Sequence, residues 1–536
     1  MWKFSQTPAP EETDGRRNLS RHITLIRPPF ISSMHSYSST VTPPLSIAYL
    51  ASSLLAAGYQ VTAIDGLGEG INQIRIYDDI LCRVRGLTIE EISNRIPLKT
   101  DIIGISAMFS QEWLFIRRIL RSIKTRYPHI PIVLGGEHAT ALPEFILQTC
   151  PEVDLCALGE GEETIIDIAR YFPGDCSKIP GVVYRDIHGR IIKTQSRPRL
   201  RAIDDIPRPA WHLFPMESYL SSIYSHGPHI GRTMLILATR GCPYQCTFCS
   251  NKSMWTQRYL MRSVKDVVDE IEEYKKTYRI EHIAFADLTA IIRKDWIMEF
   301  GQALKDRDIN VSWSLPTGTR SESLDNDVLK MMAETNCRYI IYAAESGSPR
   351  ILKSIKKQVN LDRLAHSMKQ AKENGLKIRC NLMLGFPQET RKDVLKTILF
   401  QMRLAWLGVD DATFTLFTPY PGSELFQYLR DKGKIAEIND GYFQSLLCLL
   451  DLTKSSGYCE HIGPRELAFY RLAGLMLFYS FYYLIRPSRI IRSCRNIFLA
   501  QKTETAFEQK MLEMLDTGRI SKNKIRAETV SSHAGG

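Results

Sequence analysis

Residues 234–250, Met-Leu-Ile-Leu-Ala-Thr-Arg-Gly-Cys-Pro-Tyr-Gln-Cys-Thr-Phe-Cys-Ser, place three cysteines on one short loop directly after an apolar run. The cysteines are Cys242, Cys246 and Cys249, with three and then two residues between them. Three thiolates on one loop can hold three irons of a 4Fe-4S cluster and leave the fourth iron open to another ligand. The stretch therefore predicts a strand that ends at an iron-sulfur cluster with one reactive corner.

Other uses of these cysteines fit the sequence less well. A zinc site normally needs a fourth Cys or His at tight spacing, and none follows within the next thirty positions. The chain has 12 cysteines in 536 residues, and those outside the loop are scattered singly. That usage does not indicate a disulfide framework. Purely structural cysteines are the remaining alternative.

Composition predicts a soluble, multi-domain chain. Hydrophobic residues make up 44% and charged residues 24%, which suits two to four globular domains. The net charge of +11 could steer anionic ligands or favour a membrane surface. We expect no nucleic-acid partner, because no compact basic and aromatic patch is visible. The first twenty residues are polar, without the apolar segment of a signal peptide, so we expect a cytoplasmic protein.

The region 22–175 alternates short apolar runs with helical stretches. The apolar runs are Ile23–Ile26, Val61–Ile64, Ile102–Ile105, Ile132–Leu134 and Leu155–Leu158, and the helical stretches include Leu45–Ala57, Trp113–Arg126 and Glu163–Tyr171. Such a rhythm predicts buried parallel strands in a doubly wound, flavodoxin-like α/β sheet. Sheets of this kind bind ligands at the carboxyl ends of their strands.

Small and acidic residues cluster at three of these predicted strand ends. They are Ser106, then Gly135, Gly136 and Glu137, then Gly159, Glu160 and Gly161. Glycines let a backbone approach a ligand closely, and a serine can donate a hydrogen bond to it. A glycine pair alone is weak evidence, because glycines at strand ends often serve only tight turns.

The rest of the chain divides into four parts. A bridge at 176–231 combines a hairpin with a proline-rich connector, a partial β/α barrel is expected at 232–438, a helical domain at 439–520, and disordered tails at 1–21 and 521–536. Residues that we expect at the barrel's later strand ends include Asp287, Arg320, Glu345 and Ser346. Glu345 has no adjacent basic residue in the sequence, so it could accept hydrogen bonds from a ribose or an ammonium group. A structural salt bridge is the alternative.

Taken together, residues 23–424 resemble the cobalamin-binding radical SAM (S-adenosylmethionine) enzymes. The cysteine spacing with Phe248 before the last cysteine is similar to the superfamily's cluster motif, and Ser106-x-Met108 followed by Gly135-Gly136 is similar to cobalamin-binding domains. The resemblance implies a 4Fe-4S cluster, SAM and cobalamin as cofactors. It also implies that the strand-end residues above contact cobalamin, and that Phe248, Arg320, Glu345 and Ser346 lie at the SAM site.

One family motif is missing from the first strand-to-helix loop, residues 28–44. Some cobalamin domains carry Asp-x-His-x-x-Gly there, whose histidine replaces the lower axial base of cobalt, and this loop has none. Its only histidine, His35, is more typical of a loop residue than of a cobalt ligand. We therefore predict that the lower face of cobalt carries no histidine, and that His138 is a polar group lining the pocket.

The resemblance implies a methyltransferase that uses methylcobalamin to methylate an unactivated carbon of a hydrophobic or natural-product molecule. A flavodoxin or ferredoxin would supply the electron. An oxidative cyclase that transfers no methyl group is the alternative. Methylthiotransferases are disfavoured because the amino-terminal domain has no second cysteine trio, and a non-catalytic cobalamin sensor would not need the trio that is present.

The helical domain contains an uncharged, apolar run, Leu472–Ile485, followed by Arg486, Arg489, Arg492 and Arg495. Fourteen residues are fewer than the roughly 20 that span a bilayer. The run could therefore lie on a membrane surface, frame an apolar substrate, or pack against the barrel.

Overall fold

The computed structural model describes residues 21–36, 41–223, 229–289, 292–319, 324–500, 503–512 and 515. Residues 1–20, the predicted disordered tail 521–536 and Arg320 lie outside the described residues.

A seven-stranded sheet forms the amino-terminal domain. Its strands are β1 His22–Arg27, β3 Gln60–Asp65, β6 Ile102–Ser106, β7 Ile132–Gly135, β8 Leu155–Ala157, β9 Val182–Arg185 and β10 Ile191–Lys193. They lie in the order β10-β9-β8-β7-β6-β1-β3, and the five strands from β8 to β3 in this order are parallel. Helices cover the sheet: α1 Leu45–Ala56, α2 Ile89–Asn94, α3 Trp113–Arg126, α4 Glu137–Ala141, α5 Pro143–Thr149 and α6 Glu162–Tyr171. This confirms the predicted doubly wound α/β fold.

Two features extend this domain beyond the sequence prediction. The hairpin β9–β10, which the sequence placed in the bridge, pairs antiparallel with β8 and becomes the edge of the sheet. A small antiparallel sheet forms from β2 Phe30–Ser33, β4 Ile74–Tyr77 and β5 Cys82–Arg85. Each of these three strands has only four residues, too few for an apolar alternation to stand out in the sequence.

The second domain is an open barrel of six parallel strands. They are β11 Thr233–Ile236, β14 His282–Phe285, β15 Ser312–Thr319, β16 Cys337–Glu345, β17 Lys377–Leu384 and β18 Asp411–Leu416, in that order across the sheet. A short ladder of β12 Thr239–Arg240 and β13 Leu260–Met261 flanks the first strand. The helices are α8 Asn251–Trp255, α9 Val264–Tyr278, α10 Lys294–Asp306, α11 Asn326–Glu334, α12 Pro349–Ser354, α13 Leu361–Glu373, α14 Arg391–Leu407 and α15 Glu424–Asp431, and α7 Met216–Leu220 precedes the barrel.

The carboxyl-terminal region is helical and packs on the edge of the barrel. It contains α16 Asp440–Leu446, α17 Pro464–Ile485, α18 Ser488–Arg495 and a π-helix, Asn496–Ala500. Helix α17 lies against α14 and β18, where Gly474 approaches the Phe414 ring and the Tyr479 hydroxyl donates to Asp411. In the part of the chain that the structure describes, α17 is the one helix long and apolar enough to cross a membrane by length and composition. Its docking shows that the run Leu472–Ile485 packs on the barrel along one face.

Candidate active site between the two sheets

The cysteine loop, residues 242–250, begins just beyond β11 and is held by backbone bonds to two other parts of the barrel. Thr247 N donates to Ile355 O at 3.1 Å, and Leu425 N donates to Thr247 O at 2.9 Å. Cys249 N donates to Cys246 O, which closes a turn between the last two cysteines. All three cysteines lie outside disulfides and are at least partly accessible. The loop is therefore fixed at the carboxyl end of the barrel, where β/α barrels build their sites.

The end of β14 lies beside this loop. Cys242 Sγ is 3.1 Å from Thr289 Oγ1. Asp287 is fully buried, and its carboxylate accepts hydrogen bonds from the Thr239 hydroxyl and from Ala238 N. Burial raises the pKa of Asp287 to about 7. Asp287 therefore ties β14 to the strand before the cysteines.

Aromatic rings form an apolar wall behind the last cysteine. The Phe248 ring centroid is 5.8 Å from that of Phe386, which is 5.5 Å from Phe417. Phe386 belongs to the Gly-Phe-Pro turn after β17, and Phe417 follows β18. The wall thus connects the cysteine loop to the two last strand ends of the barrel and excludes water there.

In the amino-terminal sheet, three of the predicted strand ends lie side by side. Ser106 and Gly135 are register partners on β6 and β7. A Cβ on Gly136, which has φ +112°, would lie 2.7 Å from Ala107 O. A Cβ on Gly135 would meet its nearest atom only at 3.9 Å, so the surface above this strand end is open. Gly136 is therefore explained by the close Ala107 backbone, whereas Gly135 leaves a backbone surface that a flat ligand can approach.

Side chains from the amino-terminal sheet reach the barrel at two points. The Ser250 hydroxyl, next to the cysteine trio, donates to Glu137 Oε1. The Tyr420 hydroxyl, in the Pro-Tyr-Pro-Gly turn after β18, donates to Gln111 Oε1 at 2.6 Å. The carboxyl edges of the two sheets therefore face each other, and we call the region between them the crevice. Next to Gln111, burial raises the pKa of Glu112 to about 8.

A buried guanidinium makes the third connection. Arg240, two residues before the first cysteine, pairs with Glu162 at 2.5 Å and with Glu160 at 3.5 Å. It also lies over the Tyr49 ring, 5.2 Å from the centroid. Burial raises the pKa of Glu162, but Arg240 outweighs burial and the pKa lies below its usual range. Arg199 pairs with Glu160 at 3.0 Å, so both carboxylates are neutralised.

Family models match both halves of this crevice. The model of the radical SAM superfamily matches residues 236–400, and that of the B12 binding domain matches residues 36–169. An uncharacterized methyltransferase, PH0819 of Pyrococcus horikoshii, is 31% identical over 76% of this chain and 82% of its own length. The chain belongs to the cobalamin-binding radical SAM family.

Other members of this family carry different activities in their names. The cytidylyl-2-hydroxyethylphosphonate methyltransferase of Streptomyces wedmorensis is 30% identical over 72% of this chain and 77% of its own. The anaerobic magnesium-protoporphyrin IX monomethyl ester cyclase of Rubrivivax gelatinosus is 25% identical over 89% and 81%.

Solved structures of radical SAM enzymes share the fold. The methyltransferase TsrM from Kitasatospora setae, with cobalamin and a 4Fe-4S cluster bound, superposes with a TM-score of 0.59 at 17% identity, over 79% of this chain and 80% of that one. OxsB with aqua-cobalamin and SAM bound gives a TM-score of 0.61 at 16% identity, over 89% and 67%.

The described residues of this radical SAM enzyme fit its cofactors, a 4Fe-4S cluster, SAM and cobalamin. The cysteine loop offers three cysteines outside disulfides. Among the described residues, no three His, Cys, Asp or Glu side chains are grouped to hold one metal ion. In a 4Fe-4S cluster each thiolate binds a different iron. The open glycine edge and the half-buried Ser106 suit a cobalamin ring.

Two of the predicted cobalamin contacts, Glu160 and Glu137, have protein partners across the crevice. Glu160 pairs with Arg199 and Arg240, and Glu137 accepts from Ser250. Their backbones still border the open strand ends, beside Gly159 and Gly161. Both carboxylates therefore connect the cobalamin-binding domain to the cluster side, and their contact with cobalamin stays a prediction.

The surroundings of Glu345 include a basic residue. The salt bridge that the sequence left open as the alternative is present, because Lys357 Nζ lies 3.0 Å from Glu345 Oε1. Lys357 follows α12, twelve residues further along the chain, and sequence adjacency could not reveal it. Glu345 nevertheless has φ +64° at a register shift of β16, an unusual backbone for a residue other than glycine. Such strain is concentrated at functional sites, which supports a role for Glu345 at the SAM site. That role stays a prediction.

Ser346, His35 and His138 lie away from the open crevice. The Ser346 hydroxyl is fully buried, 3.1 Å from Thr397 Oγ1 on α14, a placement that favours a supporting role. His35 is exposed, with its ring 3.5 Å from the Thr453 hydroxyl. His138 is 1% exposed and packs against Trp113 and Phe443, so it does not line the crevice.

Sequence reasoning did not single out four residues that join the two domains: Gln111, Arg240, Ser250 and Arg199. Two of them carried a usable signal, because Arg240 and Ser250 flank the cysteine trio directly. The other two are ordinary polar residues whose partners lie far away in sequence.

Proposed function

We propose that this protein methylates an unactivated carbon of an apolar small molecule bound in the crevice between the cobalamin-binding sheet and the barrel. The observation that carries the proposal is the crevice itself, in which the cysteine loop and the glycine edge are joined by the Glu137–Ser250 and Arg240–Glu162 contacts. Relatives named methyltransferases that match three-quarters of the chain support it.

When bound, the cluster with SAM supplies a 5′-deoxyadenosyl radical, and cobalamin supplies a methyl group. The chain's own task is alignment, since a fixed geometry replaces chance encounter of the reacting atoms. Cys242, Cys246 and Cys249 would hold the cluster. Ser106, Gly135 and the neighbouring strand ends would hold cobalamin.

Three further features of the crevice suit this task. The ring wall that begins at Phe248 would keep water from a reactive radical. Phe109, after β6, and Leu288, after β14, are 49% and 46% exposed large apolar side chains on the two facing edges, which supports an apolar substrate. Glu112, with its raised pKa, would hold a proton on its carboxyl at neutral pH.

An oxidative cyclisation without methyl transfer is the second candidate. Its support is the cyclase of Rubrivivax gelatinosus, whose similarity extends over 89% of this chain and so beyond the barrel.

Anaerobic product analysis separates the two candidates. The reconstituted enzyme would be given cobalamin, a strong reductant and SAM labelled on its methyl group, and the products analysed by mass spectrometry. Labelled methylcobalamin together with 5′-deoxyadenosine is the expected result. 5′-Deoxyadenosine with unlabelled cobalamin would favour the cyclisation, and neither product would contradict both candidates.

A further inference from the structure

An apolar surface runs over the outer faces of α14, α17, α18 and the π-helix, and we call it the helical face. More than half of the large apolar side chains that the described residues expose lie on these elements. Examples are Leu399 and Trp406 on α14, Phe469, Met476 and Leu484 on α17, and Leu499 on the π-helix. The elements are packed side by side, and Trp406 of α14 stacks on Phe481 of α17. The exposed side chains therefore belong to one surface.

The exposed apolar side chains extend along most of α17. Helix α17 has 22 residues and is therefore about 33 Å long. Its inner side, with Phe478 and Tyr482, is buried against the barrel, while Phe469, Met476 and Leu484 on its outer side are 66%, 63% and 77% exposed. Soluble monomers rarely expose a contiguous apolar patch beyond roughly 300–600 Å², and larger ones mark interaction sites.

Of the charged residues on α14, α17, α18 and the π-helix, all but two are basic. Exposed cations stand one helical turn from exposed apolar residues: Lys392, Lys396, Arg465 and Arg495. The acidic residues of α14 and α17 are Asp393 and Glu466, and both are paired with arginines. Helix α18 and the π-helix contain no acidic residue. The rim of the face is therefore electrostatically positive.

We propose that the helical face binds peripherally to an anionic lipid bilayer. Apolar side chains with an aromatic component would enter the acyl boundary, and the basic rim would meet the anionic headgroups. A second copy of the chain is a poorer occupant, because a two-fold interface would bring the two basic rims together. The sequence of residues 516–536 is polar, so its composition does not suit an apolar cover.

Helix α17 lies flat in this arrangement and does not span the bilayer. Its inner side is fixed to β18 by the fit of Gly474 against Phe414 and by the Tyr479–Asp411 hydrogen bond. Only the outer side is available to lipid, which is the geometry of an interfacial helix.

Vesicle flotation with the full-length, reconstituted protein tests the proposal. We expect the protein to float with phosphatidylcholine vesicles that contain phosphatidylglycerol, to float far less with phosphatidylcholine alone, and to be released by salt. The double variant Phe469→Glu/Met476→Glu should lower the bound fraction at least about tenfold, because it adds two charges to the interface. Ile187→Glu, at a 95% exposed hairpin position outside the helical face, is the matched control and should bind like the wild type.

Both altered residues of the double variant are exposed, so its thermal unfolding should match that of the wild type. Absence of binding to phosphatidylglycerol vesicles would overturn the proposal, as would equal binding of wild type and double variant. A concentration-dependent dimer that the double variant abolishes, without vesicle binding, would assign the face to a second copy of the chain instead. None of these outcomes depends on methyl transfer.

Discussion

Arg240 is a buried cation that links the cluster loop to the cobalamin-binding domain. Its side chain is 3% exposed, and the Glu162 side chain 10%. Removing one member of a buried pair leaves the other charge uncompensated, which costs about 3–5 kcal/mol. We therefore expect Glu162→Gln to lower the midpoint of urea unfolding strongly. Asp295→Asn, which removes a pair exposed on both sides, should leave the urea midpoint nearly unchanged. Equal effects of the two substitutions on the urea midpoint would contradict a stabilising role for the Arg240–Glu162 pair.

The same pair makes stability depend on pH in a defined direction. Because the folded pKa of Glu162 lies below the ordinary value of about 4.3, its stabilisation is complete above that value. It is lost as the pH falls through the folded pKa. Urea midpoints of the wild type and Glu162→Gln should therefore differ at neutral pH and converge in acid. A gap that stays constant across this range would mean that the carboxylate charge is not what stabilises Arg240.

The cysteine trio can be tested by metal content. Cys249→Ser should lose most of the about four irons that one cluster brings to a chain after anaerobic reconstitution. Cys494→Ser is a matched control, because Cys494 is also a free, exposed thiol but lies on α18. Iron and sulfide analysis would show the difference, and unchanged iron in Cys249→Ser would exclude this residue as a ligand.

At the residue scale, the sequence could reveal only those sites whose residues lie close together along the chain. The three cysteines lie within eight positions, so their shared loop is visible directly. Arg240 and Glu162 are 78 positions apart, and Lys357 is 12 from Glu345. Only the fold brings such partners together. The open strand ends were predictable, whereas the partners of Glu137 and Glu160 were not.

Among the elements, α17 depends on a glycine for its docking. A Cβ on Gly474 would lie 2.4 Å from the Phe414 ring, so Gly474→Val should push the helix away from β18 and cost about 1–3 kcal/mol by overpacking. Hydrogen exchange of the α17 amides should rise. Gly463→Val is the control, because Gly463 precedes the helix with φ −70° and has open space around it. If both variants exchange alike, the close fit at Gly474 does not hold the helix.

Element type followed from the sequence wherever a run was long or fully buried. The five strands and three helices expected in the first domain appear within a few residues of their predicted bounds. The hairpin β9–β10 was visible as a hairpin, but its pairing with β8 was not, because sheet order is set by long-range contacts. For α17 the charge-free run is consistent with either a barrel face or a lipid face. The structure buries one side of the helix against the barrel and leaves the other side exposed.

On the scale of the whole molecule, two sheets place their carboxyl edges against one crevice, and the buried contacts between them fix the distance from one cofactor site to the other. The reductant is different, because it must reach the cluster from solution. Cys246 and Cys249 border the crevice and are at least partly accessible. Electron delivery is therefore an encounter between surfaces, governed by charge.

The net charge of +11 predicts how that encounter responds to salt. The expected donors are flavodoxins and ferredoxins, and an acidic donor would be attracted by the positive net charge of this protein. Attraction between opposite net charges raises association rates by about 10–1,000-fold at low ionic strength. We expect the rate of SAM cleavage, limited by an acidic flavodoxin, to fall about tenfold or more as ionic strength rises. Cleavage driven by a small-molecule reductant at saturating concentration should change little, because it needs no docking of two proteins. A flavodoxin-driven rate that does not depend on salt would show that the excess positive charge lies away from the surface where the donor docks. The helical face would then be the main surface on which that charge attracts a partner.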